Sequence, residues 1–240
     1  FEMRPEELQL GFLKMLRGTG LRSQAKQWNY EYMDQAPYEI VSNNVMPFTD
    51  IIRIKQVEDV LEKYWNDHRM DHGVEYLVSM VYPSPFDFFQ AFGSYWEDKN
   101  WSRIGHQPED LFKRLVEFNQ QAYPENQDML VSLLKVDYLE NLSFKPRKPW
   151  WDTTMTKQEK SPYYQAAIHE PERISADFAS LKLNEKDMYK HVLIEEIDID
   201  YSHYQQTGEY RSKKNLVLAY FNPKEGCSKL FFTEPETLLS

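Results

Sequence analysis

The apolar residues of this chain keep one spacing for about ninety positions and then change it. From Thr49 to about residue 140 they recur every three or four residues, the period of a helix with one buried face. From His191 the period is two, the mark of strands. This switch confines the chain to a mainly α fold, bundle-like, with a small antiparallel β-sheet at its C-terminal end, α+β as a whole.

Within the helical stretch, Ile51, Ile52, Ile54, Val57, Val60, Leu61, Tyr64 and Trp65 predict a helix from an N-cap at Thr49 to about His68. Gly73 permits a break, and a second helix is expected near Val74–Tyr82. Ser84 and Pro85 cap an aromatic helix carrying Phe86, Phe88, Phe89, Phe92, Tyr95 and Trp96. Pro108 and Pro124 each start a further helix, and the short connections suit a bundle. At the other end, Leu216–Phe221 and Lys229–Thr233 flank Asn222-Pro-Lys-Glu-Gly226, a hairpin signal with a longer turn. Between them, prolines 146, 149, 162 and 171 and the Trp150-Trp151 pair predict only short helical pieces from residue 145 to 190.

Upstream the pattern is ambiguous. Leu8, Phe12, Leu13 and Leu16 follow Pro5 at helical spacing, while Leu8, Leu10 and Phe12 alternate as a strand would. Read on its own, the segment is expected to be helical. Gly18-Thr-Gly20 breaks the chain, a short helix is expected near Arg22–Trp28, and Asp34–Pro47 reads as an irregular loop. The expected organisation is therefore 1–21, 22–144 as the helical domain, and 145–240 as the Pro/Trp-rich and hairpin region.

The charge of −10, from 38 acidic and 28 basic residues, disfavours nucleic acid as a partner, because an acidic surface repels phosphate backbones. The two short basic runs, Lys145-Pro-Arg147-Lys148 and Arg211-Ser-Lys213-Lys214, read as solvated loops. A single cysteine, Cys227, excludes an internal disulfide, a zinc knuckle or a cluster site within these residues, and reads as a small strand residue beside a turn. It fits a reducing compartment. No apolar run approaches the roughly 20 residues that span a bilayer, and no leader pattern is present. A cytoplasmic protein without membrane partners is expected.

Candidate chemistry is sparse. His68 and His72, with Asp67 and Asp71 beside them, have the i, i+4 spacing at which two imidazoles share a metal if one helix carries both. Asp71 and Gly73 point instead to a polar helix end, and no metal ligand is assigned. Glu195-Glu196-Ile197-Asp198-Ile199-Asp200 offers paired carboxylates, as acid–base chemistry needs, or a solvated strand face whose charges discourage edge pairing. The second is the expectation. The aromatics from Phe86 to Trp101 read as core before pocket. Gly18-Thr-Gly20 lacks the lysine and spacing of a phosphate loop. No nucleophile–base pair is identifiable, so no catalytic residue is assigned.

Two stretches carry a family signal. One is Gln9-Leu-Gly-Phe-Leu-Lys-Met-Leu-Arg-Gly-Thr19 with Leu21-Arg22; the other is Ala36-Pro-Tyr-Glu-Ile40 with Ile52-Arg-Ile-Lys-Gln-Val57 and Tyr64-Trp-Asn66. Together they resemble the junction between the barrel and the uncharacterised C-terminal domain of cobalamin-binding radical S-adenosylmethionine proteins. The resemblance implies that Leu8–Leu21 is the last barrel strand and its exit loop. Leu16, Arg17, Gly18 and Thr19 would then lie near S-adenosylmethionine in a parent enzyme, whose 4Fe-4S cluster and cobalamin would be held upstream. These residues alone would carry none of the three cofactors, since a cluster needs three closely spaced thiolates.

The expected function is that of a non-catalytic accessory domain, capping the radical S-adenosylmethionine barrel of the same parent chain or recognising its substrate. The alternative is an independent helical protein-interaction module. The sequence does not open on Met, and we expect it to be the C-terminal part of a longer chain. Without the barrel, residues 1–20 would be disordered, form a helix, or pair two copies into a homodimer through their apolar side chains.

Overall fold

The computed structural model describes residue 3 and residues 5–153, 155–222 and 224–240. Helix accounts for 54% of the chain, and a three-stranded antiparallel sheet completes an α+β fold. The chain divides into two compact units: its beginning up to His68 with Val78–Gly105, and Arg69–Leu77 with His106–Ser240.

The first unit is built on two helices, Phe48–Leu61 and Pro85–Asp98. The first begins after Pro47 as N-cap, with Thr49 inside its first turn, and continues beyond Leu61 as a single π turn, Glu62–Asn66. His68, at φ +51°, ends it. The second starts where expected, with the Ser84 hydroxyl accepting from the Asp87 N–H. The two can approach closely because position 93 is glycine: a Cβ there would stand 2.5 Å from the Gln56 carbonyl oxygen. Around this contact Tyr64 meets Phe92 and Trp96 edge-on, at 4.8 and 5.8 Å between ring centres. Phe88, Phe89, Phe92 and Trp96 of the aromatic stripe are thus core, as the spacing suggests, while Tyr95 is half-buried and Phe86 exposed.

The N-terminal segment is extended, not helical. Burial alternates along it, with Leu8, Leu10 and Phe12 half-buried and Gln9, Gly11 and Leu13 exposed. It is pinned to its own unit: the Leu8 N–H donates to Asn66 Oδ1, the Ile40 N–H to the Leu13 carbonyl, and the Met15 N–H to the Tyr38 carbonyl. Met15 is wholly buried. The expectation of disorder or a helix over residues 1–20 fails because these long-range bonds outweigh local helix preference; Phe1, Glu2 and Arg4 lie outside the described residues. Nor is Asp34–Pro47 purely loop, since Ile40–Ser42 pairs antiparallel with Glu31–Tyr32.

The second unit is organised around the helix Gln127–Glu140, in which every residue from Ser132 to Leu139 is buried. A helix buried on all sides must be enclosed by other elements. Asp71–Tyr76, Pro108–Ala122 and the sheet pack against it. The sheet comprises Val192–Asp198, Lys214–Asn222 at its centre and Cys227–Thr233. Val192 stands opposite Tyr220, and Leu216 opposite Thr233. The hairpin turn closes with Asn222 opposite Cys227 and Gly226 at φ +64°, a conformation that favours glycine. Val192, Ile194, Leu216 and Leu218 join a second apolar cluster with Tyr164, Phe178, Met188 and Leu238.

Two expectations change here. Residues 157–169 form a thirteen-residue helix despite Pro162, started by a capping box in which Thr156 and Glu159 bond reciprocally. Proline at 162 had pointed to a break, but the cap and the burial of Tyr164 and Ala167 hold the helix together. The acidic strand is also less exposed than its charge suggested: Glu195 is buried and ion-paired with Lys160, itself largely buried.

Candidate functional site

The residue type that decides where chemistry can gather in the second unit is glycine. Gly73 lets the Asp71–Tyr76 helix lie against Gln127–Glu140 so closely that a Cβ would come within 2.5 Å of Leu134 Cδ2. This brings the start of one helix to a carboxylate on the other. Asp137, fully buried, accepts from the His72 N–H at 3.0 Å through Oδ1 and from the Gly73 N–H at 2.9 Å through Oδ2. Helix starts leave such N–H groups without partners, and here another helix supplies the acceptor.

One turn further on, Glu140 places Oε2 3.3 Å from His72 Nε2. The short helix Tyr201–Thr207, capped by Asp200, adds two phenols: Tyr201 Oη is 3.0 Å from His72 Nε2 and Tyr204 Oη 3.5 Å from Nδ1. Tyr201 stacks on Phe232 and Tyr204 on Tyr210, which fixes both rings. His72, Asp137 and Glu140 each present one ligand-type atom, all within 4.8 Å of one another.

Burial governs the protonation of this cluster. It pushes the Asp137 carboxyl up to about 7, against the lowering effects of the His72 charge and the two backbone donors. Burial alone would lower the His72 imidazole, but Glu140, Asp137 and Asp71 outweigh it and leave the group raised. Tyr201, desolvated and beside Glu140, is raised far above an ordinary phenol and stays protonated. The cluster can therefore hold and exchange protons near neutrality, and it presents an imidazole with two carboxylates to a small cation.

The residues singled out from sequence fall in different places. His68 and His72 are not on one helix: the first ends the π turn, with Nε2 2.7 Å from the Glu6 carbonyl, and the second opens the next helix. Leu16, Arg17, Gly18 and Thr19 form an exposed turn, in which Thr19 caps the four-residue helix Gly20–Ser23 and Gly18 takes φ +82°. In the acidic run Glu196 pairs with Lys214, Asp198 accepts from Ser212 and Asp200 caps a helix; Glu196 and Asp198 line one cleft of about 250 Å³, which they share with Asp128, Lys135 and Lys214. Lys145, read as part of a solvated loop, donates to the carbonyls of Tyr189 and Val192, and burial lowers it to about 8. Cys227 is exposed at the start of its strand. As the chain's one cysteine, it cannot provide the three thiolates of a 4Fe-4S cluster.

The first unit offers apolar surface instead. Leu10, Phe12, Leu13, Ile40, Met46, Ile51 and Ile54 line a cleft of about 260 Å³, and Met46 and Ile54 also line a second, of about 360 Å³, with Phe86. Leu13, Leu16, Phe48 and Phe86 are exposed nearby in sequence or on these walls.

These features define an α+β protein with a polar cluster in one unit and an apolar surface on the other. The family model described as "Protein of unknown function (DUF4080)" matches residues 26–219, and the chain belongs to that family. The stretch Gln9–Arg22 lies ahead of the matched residues. No curated protein and no solved structure matches the chain. Among the described residues, no helix is long and apolar enough to cross a membrane.

Proposed function

We propose that this chain is a non-catalytic accessory domain of a cobalamin-binding radical S-adenosylmethionine enzyme, and that its first unit packs on the barrel of the same parent chain. The observation that carries this reading is the concentration of exposed apolar side chains on the unit that begins with the extended segment Leu8–Leu16. Exposed apolar patches mark surfaces that another molecule covers. An extended, alternating segment lying along such a surface suits a strand that adds to a neighbouring sheet. The cluster, S-adenosylmethionine and cobalamin would all be held by residues upstream. The chain's own contribution is to cover the barrel and exclude water from it.

The coding sequence ahead of residue 1, followed by hydrogen exchange on the full-length protein, tests the proposal. We expect three cysteines at cluster spacing upstream, and slower exchange at Leu10–Leu16 in the full-length protein than in the 240-residue chain. An upstream sequence without those cysteines, or equal exchange in the two proteins, overturns it. Slower exchange produced by a separate protein would favour an interaction module instead.

A further inference from the structure

We propose that His72, Asp137 and Glu140 form a binding site for one first-row divalent transition ion, of the Zn²⁺ or Mn²⁺ kind. The three ligand-type atoms already lie within 4.8 Å of one another, drawn from two helices that Gly73 holds in contact. Ions of this class bind nitrogen and oxygen at about 2.0–2.2 Å, so small side-chain movements would bring all three groups into coordination.

Charge balance is a second, separate argument. Among the described residues, neither Asp137 nor Glu140 forms an ion pair with a lysine or arginine, and the cationic partner of both is His72. Asp137 is fully buried, and what faces its carboxyl is one imidazole and two backbone N–H groups, where removal from water makes a carboxylate's charge costly. A dication beside it would offset that cost. An imidazole among the ligands favours Zn²⁺, Mn²⁺ or Fe²⁺ over Ca²⁺, which takes six to eight oxygens.

The surroundings are those of an oriented ligand set. Both oxygens of Asp137 are fixed by backbone N–H groups and each retains a free lone pair. The phenol of Tyr204 stands at Nδ1 of His72, the position from which a neighbour sets the tautomer of a ligating histidine. Tyr201, beside Nε2, would give up its contact to the ion or turn to a water bound on it.

The test is equilibrium binding of Zn²⁺ to the tag-free 240-residue chain by calorimetry, with Co²⁺ as a visible-absorption probe and excess Ca²⁺ as competitor. We expect one equivalent of Zn²⁺ to bind and resist Ca²⁺. Affinity should fall at least ~10-fold in Glu140→Gln and in His72→Ala, judged from the size of effects seen even for outer-sphere partners. Glu140 is exposed, so circular dichroism of Glu140→Gln should match the parent chain; Asp137→Asn is the less secure variant because it also removes a helix cap. Substoichiometric binding, unchanged affinity in a folded Glu140→Gln variant, or displacement by Ca²⁺ overturns the proposal. None of these outcomes bears on barrel docking, which the metal site does not require.

Discussion

The two units solve the burial problem in opposite ways. The second, larger unit buries polar groups and satisfies them. Lys135 donates to the Glu196 carbonyl, Asp137 accepts two backbone N–H groups, and Glu195 pairs with Lys160. Little large apolar surface is left outside: of the fourteen large apolar side chains that are exposed among the described residues, Phe144, Tyr189 and Leu239 belong to it. The remaining eleven, Leu13, Leu16, Trp28, Phe48 and Phe86 among them, belong to the first unit. An aromatic core beneath an apolar surface is costly in water unless something covers that surface. The second unit is internally satisfied, whereas the first has an apolar surface still to be covered.

The largest effect expected from breaking this contrast is at the buried ion pair. Lys160→Met would leave Glu195 charged and almost without solvent, and should cost about 3–5 kcal/mol in urea unfolding. Replacing both partners, Lys160→Met with Glu195→Leu, should recover most of the loss, since the penalty comes from the stranded charge. If the double variant is no better than the single one, the pair holds the sheet by geometry, not by charge balance.

Next in size is Met15, the fully buried residue of the N-terminal segment. Met15→Ala should cost about 2–5 kcal/mol, measured the same way. Removal of residues 1–20 should then destabilise the first unit, the reverse of what a detached strand remnant would do. A loss below about 0.5 kcal/mol would make the segment an ornament of the fold.

The regular parts of this fold were legible in the sequence for local reasons. Ser84-Pro85 carries its own cap, Asn222–Gly226 its own turn, and the change of period separates bundle from sheet. What escaped was set by partners far along the chain. Nothing around Glu195 announces that Lys160 covers it. The extended form of Leu8–Met15 depends on Asn66, Tyr38 and Ile40. The His72 cluster joins that histidine to residues 65 and more positions away, and no local spacing could assemble it. The one available signal is Gly73, whose local sequence suggests a break although its work is to let two helices touch. In the case of the Lys157–His169 helix, the Thr156–Glu159 capping box was there to be read, and Pro162 obscured it.

A smaller effect is expected at Lys145, and its sign follows from burial. Its pKa falls from 10.5 in the unfolded chain to about 8 in the folded one. Below about pH 8 both states carry the proton and the cost of burying the charge is paid in full. Between about 8 and 10.5 the folded state has released the proton and the unfolded state has not, so stability attributable to this residue rises with pH. The gain is at most about 1.4 kcal/mol per pH unit. Urea midpoints of the parent chain and Lys145→Met, compared from pH 7 to 10, should therefore diverge in favour of the parent chain. A constant difference would mean that Lys145 keeps its proton in the fold.

The smallest expected effect on stability bears most directly on the contrast between the units. Phe48 and Phe86 stand more than half exposed on the first unit, at 54% and 56%. Their replacement by serine removes little that the folded chain buries, so each should shift stability by no more than about 0.5 kcal/mol. The same replacements should weaken whatever association covers this face. In the 240-residue chain that would appear as reduced self-association in sedimentation. In a full-length parent it would appear as faster exchange of the Leu10–Leu16 amides. A substitution silent in folding but not in association marks a surface made for a partner. If Phe86→Ser instead costs as much as Met15→Ala, then Phe86 is core after all, and the first unit has less apolar surface to cover than its exposure suggests.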